Sequence, residues 1–144
     1  MLVLLVAALT ATGRSAGATQ LPGFRSPTGN IRCLFIPGGH GHAMMLCTIA
    51  QAAYARRLTT HCEAPPIGLD WAGFELQATT KGRTVCSGGI LYSPATQHPH
   101  YVTLPYGRTW RHKMFDCTSR VIGVNCSNHS GHGLFLSRET WRTW

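Results

Sequence analysis

The chain has 144 residues, with 13 Lys and Arg against 5 Asp and Glu, a formal net charge of +8 and only 12% charged residues. That length suits one domain rather than several. The basic residues never run beyond two together, which excludes a dedicated nucleic-acid motif, and five carboxylates leave little material for acid–base catalysis.

Met1 to Ala18 has the parts of a secretory signal peptide. Leu2 to Leu9 is an uncharged apolar run, too short for a bilayer span of about 20 residues. Ala16-Gly17-Ala18 gives an A-x-A cleavage pattern, although no Lys or Arg precedes the run. Cleavage would leave residues 19–144 as a single secreted domain of net charge +7, Arg14 having left with the leader. The competing reading is a buried N-terminal strand or helix. No cysteine stands at the cleavage site to carry a lipid, and no later apolar stretch has transmembrane length.

Beyond the leader the pattern is short β segments punctuated by Gly and Pro. Ser26-Pro27-Thr28-Gly29 reads as a turn, with Pro second and Gly fourth. Ile31 to Ile36 reads as a strand, Pro37 to His42 as a loop and Ala43 to Ile49 as the returning strand. Thr48 to Leu58 is Ala-rich and reads either as a helical turn or two or as an extended arm. Ala72 to Ala78 and Arg83 to Ser87 form a second hairpin, and Lys113 to Thr118 with Gly123 to Ser127 a third. His132 to Ser137 reads as a final strand. The sum is an all-β fold: a small disulfide-stapled sandwich or partly open barrel built of antiparallel hairpins.

The staples would be Cys33, Cys47, Cys62, Cys86, Cys117 and Cys126. An even cysteine count in a small exported chain reads as a disulfide framework. Six cysteines allow 15 pairings. Hairpin symmetry favours neighbours, Cys33–Cys47, Cys62–Cys86 and Cys117–Cys126, because directly opposed antiparallel residues lie within disulfide reach.

Three segments carry a family resemblance. They are Phe24 to Cys33 (FRSPTGNIRC), Leu104 to Gly107 (LPYG), and the stretch from Cys117 through Gly123 to Asn128, Gly131 to Gly133 and Phe135 to Arg138. Together they resemble a family of uncharacterised exported bacterial domains, mostly actinobacterial, with a six-cysteine frame and no assigned function. The resemblance runs from Phe24 to Trp144 and implies a fold and an exported location, not an activity. After the fourth cysteine that family tends to carry Gly-Asp-Thr, whereas Cys86 is followed by Ser87-Gly88-Gly89-Ile90. Any role of that Asp is missing here.

Chemistry is thinly represented. His40-Gly-His42, His98-Pro-His100 and His129-x-x-His132 are close pairs, but zinc needs three or four ligands, and oxidised cysteines supply none. No metal or cofactor is therefore expected. His132, between glycines, reads as a buried, hydrogen-bonded side chain. Ser87 and Ser137 lack a Gly-x-Ser-x-Gly elbow, so no catalytic nucleophile is assigned. Asp70 and Glu75 flank Trp71 and Phe74, an arrangement open to a glycan-hydrolysing acid pair but better read as core packing at a strand start. Ser137-Arg138 offers an arginine for a carboxylate or phosphate, or a structural tie. Trp141, Arg142 and Trp144 form an aromatic-basic tail that grips a glycan or interface or packs back over the sheet.

These residues favour a non-catalytic extracellular or cell-envelope binding domain over an enzyme. Trp71, Trp110, Arg138 and Trp141 are its candidate binding residues. The expected partner is an anionic cell-wall polymer, a glycan or a secreted protein; anionic lipid head groups are a further source of the same charge. Two rivals are an inhibitor of a secreted enzyme, by fold-level analogy with lysozyme inhibitors, and a small cell-wall glycan hydrolase acting through Asp70 or Glu75.

Overall fold

A computed structural model describes residues 17–38, 42–89, 91–92 and 95–144. Of the expected leader only Gly17 and Ala18 fall in that set, and His40 lies outside it. Among the described residues, the chain runs β1 Thr19–Arg25, β2 Ile31–Ile36, β3 Met44–Ile49, α1 Ala55–Glu63, β4 Asp70–Gln77, β5 Arg83–Ser87 and β6 Gln97–Thr103. It continues with β7 Thr109–His112, β8 Phe115–Arg120, β9 Gly123–Asn128, β10 Gly133–Leu136 and β11 Trp141–Thr143.

The strands form two sheets, β5-β4-β3-β2-β1-β6 and β11-β10-β9-β8-β7. Period-two alternation puts Phe115, Cys117 and Ser119 of β8 and Val124, Cys126 and Asn128 of β9 on the inner face of the second sheet. They meet Phe24, Cys33, Phe35, Met45, Cys47, Phe74 and Leu76 of the first sheet in one core. Both sheets keep free edges, so the fold is a sandwich rather than a closed barrel. The strand β2 is buried almost throughout because its outer face is covered as well. Leu21, Leu34, Ile36 and Leu46 form a second cluster under Leu91 and Tyr92 of the β5–β6 connection.

The neighbour pairing of cysteines holds in all three bridges. Cys33 opposes Cys47, and Cys117 opposes Cys126, each pair with Cα atoms 4.0 Å apart. Cys62 of α1 joins Cys86 of β5 across a Cα separation of 5.4 Å. The sulfurs of Cys33, Cys47 and Cys126 lie within 4.8 Å of one another, so the two hairpin staples meet between the sheets. As disulfides they are not metal ligands.

Four features depart from the sequence expectations. The helix starts later than Thr48, because Thr48 and Ile49 complete the ladder with Arg32 and Ile31. It runs instead over Ala55–Glu63, burying Leu58 and Cys62 one turn apart, and gives way to Pro65-Pro66. The pair β1–β6 is parallel, from Thr19 opposite Gln97 to Arg25 opposite Thr103. The chain returns to that edge only after four further strands and a helix, so no hairpin dictates its direction. The tail Trp141–Thr143 packs back, as the second of its two readings had it, but as an edge strand hydrogen-bonded to β10 rather than as a layer over the sheet. Finally, His132 is half-exposed, and its predicted anchoring role belongs to Asn128. The Asn128 amide donates to the Gln77 and Thr80 carbonyls (2.8 and 3.2 Å) and its carbonyl oxygen accepts from the Ser130 and His132 N–H groups (both 3.0 Å). All four of its hydrogen-bonding positions are used; the two amide donations tie the second sheet to the β4–β5 end of the first, and the two accepted bonds close its own turn.

Candidate functional site

One end of the sandwich gathers the β1–β2, β8–β9 and β10–β11 turns, the β3–α1 link and the loop before β7. Between them lies an open groove of about 460 Å³. Its apolar floor includes the buried side chains of Ile31 and Val124.

The first wall is the Ser26–Gly29 turn expected from Pro27 and Gly29. The Gly29 N–H donates to the Ser26 carbonyl at 2.8 Å, with Gly29 at φ 73°, a conformation glycine adopts without cost. The buried Ser26 hydroxyl accepts from the Ile31 N–H at 3.1 Å and lies 3.3 Å from the Thr28 hydroxyl. Asn30 then grips the β3–α1 link. Its side-chain oxygen accepts from the Gln51 N–H at 2.8 Å, and its amide donates to the Gln51 carbonyl at 3.1 Å.

The second wall is the Ser137–Thr140 turn. The Ser137 hydroxyl accepts from the Glu139 and Thr140 N–H groups (3.2 and 3.0 Å) and donates to the Thr140 carbonyl at 3.1 Å. This turn is braced from behind: the Tyr54 hydroxyl donates to the Ser137 carbonyl at 3.0 Å, and the Ala53 N–H donates to the Arg138 carbonyl at 2.8 Å. Burial, reinforced by the nearby Glu139 carboxylate, pushes the Tyr54 phenol up to about 12. So Ser137 is structural, and it presents Arg138 and Glu139 to the groove.

The third wall is the β8–β9 turn. Arg120 opposes Gly123, leaving Val121 and Ile122 as a two-residue loop. Gly123 is required twice over. Its φ is 145°, and a Cβ there would strike the Leu136 carbonyl and the Phe135 ring. Tyr106 completes the rim, held near β8 by the Gly107 N–H, which donates to the Ser119 carbonyl at 2.7 Å.

Arg120 and Arg138 are exposed, and neither has an ion-pair partner among the described residues. With Glu139 as the acid of the rim, the groove is net positive. Val121 and Ile122 are 81% and 69% exposed.

Of the four binding residues expected from sequence, Arg138 alone lines this groove. Trp71 and Trp141 meet instead in an aromatic cluster between the sheets. Trp71 lies 5.7 Å from Phe74 and 6.2 Å from Tyr54, and its indole N–H donates to the Gly73 carbonyl at 2.9 Å. Trp141 lies 5.3 Å from Phe74, and its buried indole nitrogen has no hydrogen-bond partner among the described residues. Trp110 packs on Phe24 at 5.4 Å and stacks on His112. It belongs to β7, the opposite edge of the second sheet from β11. Burial and the charge of Lys113 lower the His112 pKa.

The acid pair considered for glycan hydrolysis is not assembled. Glu75 is buried and bonded to Arg83 Nε at 2.7 Å and to the Gln77 amide at 2.9 Å. Asp70 is exposed five residues away along β4, about 15 Å by strand rise; glycosidase carboxylates sit roughly 5–9.5 Å apart.

Sequence reasoning missed Asn30, Gln51, Arg120, Val121 and Ile122 as site residues. The available signal was Val121-Ile122 itself, two β-branched aliphatics in a turn where Gly, Asn, Asp, Pro or Ser is usual.

The chain matches a family described as a family of unknown function (DUF6636) over residues 1–142, and it belongs to that family. No curated protein and no solved structure matches it. Ser26, Thr28 to Ile31, Tyr106, Gly123 and Val124, and Ser137 and Arg138 all line the groove. The three segments that carry the resemblance therefore converge on it.

Proposed function

We propose that this protein is a non-catalytic binding domain, exported through its N-terminal signal peptide, whose groove receives an anionic extracellular polymer. The observation that carries this reading is the pair Arg120 and Arg138, without ion-pair partners among the described residues and lining one groove whose walls are fixed by side-chain hydrogen bonds to backbone. Fixed walls mean little ordering cost on binding. Two unpaired guanidinium groups offer charge-assisted, bidentate contacts to phosphate or carboxylate. Three disulfides agree with an oxidising compartment, and no helix among the described residues is long and apolar enough to cross a membrane.

The test is titration of the oxidised domain with purified wall teichoic acid, with poly-glutamate as the carboxylate comparison. Binding should weaken as salt rises towards physiological strength, where the Debye length is about 8 Å. The R120A/R138A variant should lose about tenfold in affinity, the equivalent of about 1.4 kcal/mol, with an unchanged melting temperature. Binding of neither polymer, or equal binding by the variant, contradicts the proposal.

A further inference from the structure

The β8–β9 tip places two apolar side chains on the rim of the groove that the fold leaves unburied. Val121 and Ile122 are the two most exposed large apolar residues among those described, at 81% and 69%. They stand at the corner of a hairpin, where polar turn formers are usual, and a soluble polyanion has no use for them. A local rule broken without a folding gain marks a candidate functional position. Their surroundings are specific. Arg120 precedes them, and Arg138 and Tyr106, itself 44% exposed, line the same groove. Arg108 stands opposite Ser119, its carbonyl accepting from the Ser119 N–H at 3.0 Å. No ion pair among the described residues engages any of the three arginines. Glu139 is the opposing acid of the rim.

An apolar tip ringed by arginines and a tyrosine matches the layering of an anionic bilayer surface. Aliphatic side chains enter the acyl boundary, the phenol sits at the head groups, and guanidinium groups meet phosphates. The tip is a two-residue turn with both side chains mostly exposed, which suits insertion between lipids. We infer that Val121 and Ile122 dock this domain onto an anionic phospholipid surface, with Arg108, Arg120 and Arg138 contacting the lipid phosphates. The inference goes beyond the polymer reading, which rests on the arginines and gives the exposed apolar side chains of the rim no apolar partner.

Vesicle co-sedimentation tests it. The wild-type domain should bind vesicles of phosphatidylglycerol mixed with phosphatidylcholine and should not bind pure phosphatidylcholine. V121S/I122S places serine, a good turn residue, at two exposed sites, so the fold should be retained. It should partition about tenfold more weakly or worse, given the apolar area withdrawn. A single Ile122→Trp variant should shift its fluorescence to the blue on vesicle binding and be quenched by brominated lipid. Absence of binding to the anionic vesicles overturns the inference, as does undiminished binding by V121S/I122S or an Ile122→Trp signal that vesicles leave unchanged. If vesicles fail and teichoic acid still binds, this inference alone falls. If vesicles bind and teichoic acid does not, the polymer proposal alone falls.

Discussion

Reduction of the three disulfides under native conditions should proceed in two stages. Cys33, Cys47, Cys117 and Cys126 are fully buried at the centre of the sandwich. Cys62 is fully buried too, but its partner Cys86 is half-buried on β5, an edge strand. A reductant therefore reaches Cys62–Cys86 in the folded protein but reaches the other two only through unfolding. For a domain stable by about 5 kcal/mol or more, that requirement slows attack by about 10³–10⁴-fold. The first reduction then changes the second. Cys62 and Cys86 are 24 residues apart in sequence, against 14 and 9 for the other pairs. Chain entropy assigns a loop of that size about 3.5 kcal/mol, against about 3.0 and 2.7 for the shorter two. Opening the accessible bridge thus removes the largest loop-closure contribution, and the central bridges should then reduce together, in a faster cooperative step. Timed quenching with a thiol-alkylating reagent, followed by peptide mapping, reads the order directly. Alkylation of Cys33–Cys47 or Cys117–Cys126 at the rate of Cys62–Cys86 in folded protein would refute the reasoning.

Gly123→Ala should destabilise the domain by roughly 2 kcal/mol or more, since the new Cβ meets both strain and a collision; denaturant unfolding measures it, and wild-type stability would show the close approach to be yielding. Glu75→Gln should cost about 1 kcal/mol, the Arg83 partner being largely solvated, and should leave teichoic acid binding unchanged. The Tyr54 phenol titrates near 12 when folded and near 10 when unfolded. Its contribution is thus complete below pH 10 and is lost as pH rises towards 12, so Tyr54→Phe should flatten the alkaline fall in stability. For His112 the folded pKa is depressed. Stability is then full above about pH 6.5 and falls as the pH drops through the unfolded pKa towards the lower folded one; His112→Gln should blunt that fall in an acid-unfolding series.

The parts of this fold legible in sequence were those set by local rules. Alternation and turn residues located β2, β3, β4, β5 and the β8–β9 hairpin, and near-symmetric placement about turns favoured the bridges Cys33–Cys47 and Cys117–Cys126. What escaped was set by long-range packing. Thr19–Arg25 and Gln97–Thr103 pair in parallel across more than seventy residues, and no nearby turn announces either strand. The helix was misplaced because Ala-rich composition does not reveal that Thr48 and Ile49 are needed to finish a ladder. The tryptophans drew notice as binding residues because aromatics serve both surfaces and cores, and only packing separates the two. Trp71 and Trp141, both partly buried, pack against the core around Phe74. The groove is assembled from five separate connections, so Arg120 and Arg138, 18 positions apart, share a site that no spacing encodes.

The most direct test of the central claim is the amide chemical-shift map of the isotopically labelled, oxidised domain during titration with a short teichoic acid oligomer. The account predicts saturable shifts confined to residues 26–31, 50–51, 106, 120–124 and 137–139. Shifts on the outer face of either sheet with these turns silent, or no shifts at low salt, would contradict it.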